Sequence, residues 1–177
     1  MIKGELVEQR VFILEKSEDV EKLVEAGYGK ELEDKLELAL VEAMYLVNKD
    51  KLEVKKDDKK MSKQGLMKYS EETERNFHAK LIVYSDLRER GFVVKTGFKF
   101  GCDFRVYERG VKVKKGPKES HEHTKWVVHA IPEEFNCSFP ELSRAVRLAQ
   151  NIRTEMIWAV IDSENDATYY SIKRITP

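Results

Sequence analysis

Residues 140–155, PELSRAVRLAQNIRTE, are the one amphipathic helical stretch in the second half of this chain. Leu142, Ala145, Val146, Ala149 and Ile152 recur at helical spacing and make a single apolar stripe. Such a stripe has to be buried against another element. On offer around it are β-rich segments: FVVKTG, FKFGCDFRVY, WVVHAI, MIWAVID and ATYYSIKRI. The second half therefore reads as a sheet with a helix against it. Arg144, Arg147, Asn151 and Thr154 fall at offsets of three, seven and ten on a second face of the helix. That face is a solvated polar surface, or it presents an arginine that clamps a phosphate or stacks on a base.

The first half has a different pattern. ELVEQRVFILEK (5–16) fits one or two short strands. Ser17 is a good N-cap for DVEKLVEAG, with acids in the first turn and Gly27 as the stop. Leu36, Leu40, Ala43, Leu46 and Val47 predict a helix over 32–50, followed by a short strand LEVKK at 52–56. Ser62 can cap another helix, and a longer one is expected over 70–91, closed by Gly91. The change of character puts a boundary near 82–92, giving domains 1–84 and 85–177.

The chain has 177 residues, 41% hydrophobic, enough for a real core, and its 36% charged residues do not signal disorder. Lys and Arg number 32 against 32 Asp and Glu. With no net basic field, a nucleic-acid partner has to be held by a local basic patch. Cys102 and Cys137 have neither metal-type spacing nor a disulfide framework around them. The N-terminus lacks the apolar core of a signal peptide, and no apolar run is long enough for a membrane span. The chain is read as an intracellular, cytoplasmic protein with no membrane partner.

Two residues raise a chemical question. A strand stops at Tyr107, and after a basic loop with Lys112, Lys114, Lys115 and Lys118, His123 stands at the mouth of the next strand. Taken alone, Tyr107 is a packing tyrosine and His123 a loop histidine. Taken together, they are a pair that could move protons around a phosphodiester without a metal. Tyrosine, with a reference pKa of about 10, needs help from its surroundings to act as a base. His121 and His123 are too few ligands for a metal site. A metal-dependent nuclease would need clustered carboxylates; Asp103 is available, but no Glu-x-Lys follows it, and Glu53-Val54-Lys55 lies in the other half. Asp162, Glu164 and Asp166 crowd a turn between two strands, an exposed hairpin or an acidic loop that docks on a partner.

YSDLRERGFVVKTGFKFGCDFRVYERG, EHTKWVVHA, LSRAVRLAQNIRTEMIWAVID and YYSIKRITP, in that order, resemble the archaeal tRNA-splicing endonucleases. The start GELVEQRV, then YGK and LVEAMYLVNKDKLEV, carry the likeness into the first half. The fold expected is α+β: a small N-terminal mixed α/β domain, then a nuclease-like domain with a mixed sheet and flanking helices. The resemblance implies metal-independent, cofactor-free cleavage of precursor tRNA at a bulge–helix–bulge element. A ribose 2′-hydroxyl attacks the adjacent phosphate and leaves 2′,3′-cyclic phosphate and 5′-hydroxyl ends. It puts Tyr107 at the general-base position and His123 at the general-acid position. Thr154 stands where the family pattern has a lysine, and a short neutral threonine cannot stabilise charge building on phosphate oxygens. Lys125 is the first candidate cation in its place, since a strand would put it on the same face as His123. Arg153 and Lys173 are weaker candidates. The favoured expectation is that no cation substitutes and the chain is inactive alone. The resemblance also implies that Arg147 contacts an RNA base, that Asp162, Glu164 and Asp166 dock between subunits, and that TYYSIKRI pairs copies in a homo- or hetero-oligomer. The alternative is a non-catalytic structural or RNA-binding subunit that kept the fold.

Overall fold

The computed structural model describes residues 1–97, 101–112 and 123–177. The chain opens with β1 (Ile2–Val7) and β2 (Arg10–Ile13), an antiparallel hairpin with alternating burial along each strand. Ser17 accepts a hydrogen bond from the Val20 N–H and starts α1 (Glu18–Glu25), which gives way at Gly27, φ +77°. Then come β3 (Lys30–Glu31), β4 (Leu36–Ala39), α2 (Leu40–Asn48), β5 (Leu52–Lys56) and β6 (Lys59–Lys60). They form a six-stranded sheet in the order β3-β4-β2-β1-β5-β6, mixed because β1 and β5 run parallel.

One sequence expectation fails here. The helix expected over 32–50 is a strand followed by a helix. Leu36 and Leu38 point inward from β4, which pairs with β2 from Arg10↔Ala39 to Ile13↔Leu36. The helix begins only where the buried Glu42 carboxylate accepts the N–H groups of Ala39 and Gly29, both at 2.9 Å. Gly29 is required at that corner: its φ is +61°, and a Cβ would sit 2.6 Å from the Glu37 carbonyl oxygen.

A second expectation needs adjusting as well. Ser62 does cap a helix, α3 (Lys63–Thr73), but the long helix over 70–91 is interrupted. Glu74 is extended and Asn76 is left-handed, φ +56°, so α4 runs only over Phe77–Glu89. Asparagine is one of the few residues that take this conformation readily.

β7 (Val93–Thr96), β8 (Phe104–Tyr107), β9 (Trp126–Pro132), β10 (Glu155–Ile161) and β11 (Ala167–Ile172) make a five-stranded sheet in the order β11-β10-β9-β8-β7. β9 and β10 are parallel, joined through α5 (Phe139–Asn151); the other pairs are antiparallel. Ser138 and Glu141 close a capping box at the start of α5. The helix ends four residues before the expected 155, because Arg153 takes φ +55° and Glu155 already belongs to β10.

The two faces of this sheet are buried differently. Val94, Phe104, Val106 and Val128 join one continuous core with α2, α4 and the first sheet. On the other face Cys102, Val127 and Met156 receive Ala149 of α5, with Ala145 and Ile152 of the expected stripe and also Leu148 beside it. Among the described residues no helix is long and apolar enough to cross a membrane.

Candidate active site

Tyr107, His123 and Thr154 gather at one end of the second sheet. Tyr107 is the last residue of β8, His123 stands three residues before β9, and Thr154 is the residue before β10. The backbone of Lys125 ties them together. Its N–H donates to the carbonyl of Val106, next to Tyr107, at 2.8 Å. Its own carbonyl accepts the Thr154 hydroxyl at 2.5 Å. His123 is two residues up the chain and exposed. Two residues span at most about 7 Å, so the imidazole stays at this end of the sheet.

The three side chains differ in access. Tyr107 is fully enclosed, packed with Val93 and Val111. Thr154 is half-buried. Its hydroxyl pins β9 to the α5–β10 connection, and its N–H donates to the Ala149 carbonyl at 2.9 Å.

Lys125 does not follow the strand alternation expected for it. β9 starts at Trp126, and both Lys125 and Trp126 lie against Val106. The Lys125 ammonium forms an ion pair with Glu108 and lies 4.5 Å from the centre of the Trp126 ring. Trp126 in turn packs edge-on against Phe92. Sequence reasoning missed Glu108; its signal was a carboxylate directly after the candidate tyrosine. Arg153 is exposed, as is Lys173. Arg147 is exposed on α5, one turn along from the also exposed Arg144. Lys112 is exposed, whereas Lys114, Lys115, Lys118 and His121 lie outside the described residues.

Asp103 has a different set of partners from the metal site weighed for it. It receives the Ala130 N–H at 2.9 Å, sits 3.3 Å from the Lys80 ammonium and 3.5 Å from His129 Nδ1. Lys80 is also 2.8 Å from Glu74. Burial pushes the Asp103 carboxyl up, but His129, Lys80 and the Ala130 N–H outweigh it and hold it below the usual carboxylate range. Burial likewise works against the Lys80 charge, and Glu74 and Asp103 more than offset it. Among the described residues no group of three or more His, Cys, Asp or Glu side chains is arranged to hold a metal ion.

The acidic loop is built around Asp162. Its carboxylate accepts the N–H groups of Glu164 and Asp166, both at 2.9 Å, so this residue shapes the turn. Glu164 and Asp166 are exposed. The Ser163 N–H donates to Glu133 at 3.1 Å, and His78 Nε2 meets the Asn165 side-chain oxygen at 2.8 Å, fixing the loop to the rest of the chain.

The second half is a mixed sheet with one parallel crossover beside a smaller α/β unit, with Tyr107, His123 and Thr154 at one sheet end. Comparison with known proteins gives the family. Residues 2–67 match the tRNA intron endonuclease N-terminal domain, and residues 77–169 match the tRNA intron endonuclease catalytic C-terminal domain. A tRNA-splicing endonuclease of Thermococcus gammatolerans is 41% identical over 146 residues, 82% of this chain and 82% of the relative. One of Methanothermobacter thermautotrophicus is 39% identical over 150 residues, 85% and 84% of the two chains. One of Methanococcus vannielii is 34% identical over 172 residues, 97% and 93%. The chain belongs to the tRNA intron endonuclease family, a family of RNA endonucleases of the lyase type.

Proposed function

We propose that this chain is a subunit of a tRNA-splicing endonuclease that cuts precursor tRNA at intron borders, at a bulge–helix–bulge element, without a metal. The observation that carries the proposal is the Lys125 backbone, hydrogen-bonded on one side to the end of β8 and on the other to Thr154, with His123 two residues away. In the reaction the ribose O2′ attacks the neighbouring phosphorus while the P–O5′ bond breaks. Tyr107 is the general base that takes the O2′ proton. His123 gives its proton to O5′. The products are a 2′,3′-cyclic phosphate and a 5′-hydroxyl, and no water is consumed. In the free chain the Tyr107 ring is packed with Val93 and Val111, so its hydroxyl has to be uncovered before it can meet O2′. Thr154 adds no positive charge, so this subunit's own site stabilises the pentacoordinate phosphate poorly. Arg147 and Lys125 bind RNA, and Asp162, Glu164 and Asp166 join copies or subunits.

A second reading, a structural subunit whose partner carries the cutting site, is favoured by two observations. Tyr107 is shut away from solvent, and the Thr154 hydroxyl is occupied by the Lys125 carbonyl.

The test is to incubate the purified chain with a bulge–helix–bulge RNA in EDTA, alone and with a partner subunit, and to identify the ends formed. Cyclic phosphate and 5′-hydroxyl ends from the chain alone support a self-sufficient enzyme. The same ends only with the partner support the structural reading. Cutting only after magnesium is restored would overturn both.

A further inference from the structure

A cavity of about 370 Å³ opens at the far end of α5 from Thr154. It is lined by Gly101, His129, Glu141, Arg144, Ala145 and Leu148. Its volume lies within the range of small-ligand sites. Neither the proton transfers nor the acidic loop uses it.

The cavity has a consistent chemistry. Ala145 and Leu148 give it an apolar wall. His129 shares a sheet face with Val127, the face that α5 covers. Its Nδ1 is turned to Asp103 at 3.5 Å, which leaves Nε2 as the ring nitrogen that can meet a ligand. Asp103 is itself held by Lys80 and the Ala130 N–H, so the imidazole stands on a fixed support. Glu141 is committed to the helix cap, accepting from the Ser138 N–H at 2.7 Å and hydroxyl at 3.0 Å, and its carboxyl is held below the usual range by those bonds. A carboxylate in the wall disfavours a bare phosphate there. An apolar wall, an imidazole and a carboxylate suit the face and polar edge of a nucleobase, with Arg144 at the rim for stacking or for the flanking phosphate.

Position links the cavity to the RNA path. From Glu141 to Glu155 the chain carries Arg144, Arg147 and Arg153 and no acid between, and all three arginines are exposed. In a molecule of zero net charge this is a local basic track, and it leads from Thr154 to the cavity. His129 lies four residues along from Lys125, about 13 Å at strand rise. A base bound there belongs to a nucleotide beyond those flanking the cut.

We propose that the Gly101–His129–Arg144 cavity is a nucleobase subsite for an unpaired nucleotide of the substrate RNA, held away from the scissile phosphate. This rests on the RNA-endonuclease reading above. The experiment compares the parent chain with His129→Ala, Arg144→Ala and Ala145→Phe, the last filling the cavity without changing charge, all in the assembled form and with folding checked by circular dichroism. Binding of a bulge–helix–bulge RNA is read by fluorescence anisotropy, and cleavage by single-turnover rate at saturating enzyme. The expected result is a roughly tenfold weaker Kd in each variant, one contact of about 1.4 kcal/mol, with the saturated rate unchanged. A 4-thiouridine-bearing RNA should also crosslink, in the parent protein, to the peptide holding Ala145 and Leu148. Unchanged Kd in all three variants with a parent that binds and cuts overturns the subsite alone. Loss of oligomer mass in the variants overturns it too, making the cavity a protein contact. A parent that neither binds nor cuts the RNA removes the reading beneath it.

Discussion

At the scale of single residues, Lys125 shows how a local change of backbone redirects a side chain. Alternation from His123 would have aimed its ammonium at the phosphate. Instead β9 begins one residue later, and the charge rests on Glu108 and Trp126. Lys125→Ala should therefore weaken RNA binding by a few-fold, one exposed ion contact of about 1 kcal/mol or less, and leave the saturated single-turnover rate intact. Loss of that rate would return Lys125 to the chemistry. Cys102 makes a second prediction. Burial pushes its thiol up to about 12, and its S–H is directed at the carbonyls of Gly97 and Phe104. The thiolate is the reactive form, so iodoacetamide at pH 8 should label the half-buried Cys137 in the native protein and spare Cys102. Equal labelling would contradict the burial of the Cys102 thiol.

At the scale of elements, the acidic loop is shaped by Asp162 and offers Glu164 and Asp166 outward. Reversing all three to lysine should lower the oligomer's mass in light scattering; an unchanged mass would remove this loop from assembly. Elements were legible in the sequence wherever local chemistry decided them. The Ser17 and Ser62 caps each start a helix, and Ala145, Ala149 and Ile152 of the α5 stripe face the sheet. What stayed hidden was decided by distant partners. Leu36 and Leu40 fit a helical period, and only pairing of β4 with β2 makes 36–39 a strand. The same holds for the site. Motif order proposed Tyr107, His123 and Thr154 together, and the fold places all three at one sheet end. The Lys125–Glu108 pair and the Asp103–His129 support were not, because each joins groups at least 17 residues apart in the chain. The left-handed turns at Asn76 and Arg153, which shorten two helices, had no local signal beyond an asparagine in the first.

At the scale of the whole molecule, one core joins both sheets. Tyr84 is fully buried in α4, its ring 5.6 Å from Tyr45 of the first half and 5.7 Å from Phe104 of the second. Cutting the chain into 1–84 and 85–177 would divide that helix, so the two proposed domains should unfold in a single transition. Tyr84→Ala should cost about 3–5 kcal/mol and shift the denaturation of both sheets together; two separate transitions would show independent units. The central claim is a metal-free RNA-cleaving site at one sheet end, complete except for the cation at position 154. It is tested most directly by single-turnover cleavage of a bulge–helix–bulge RNA in EDTA, parent against Thr154→Lys. The account predicts a rate gain of at least tenfold in the lysine variant, with each further tenfold matching about 1.4 kcal/mol of transition-state stabilisation. A parent that cuts fully in EDTA and gains nothing from the lysine would contradict it.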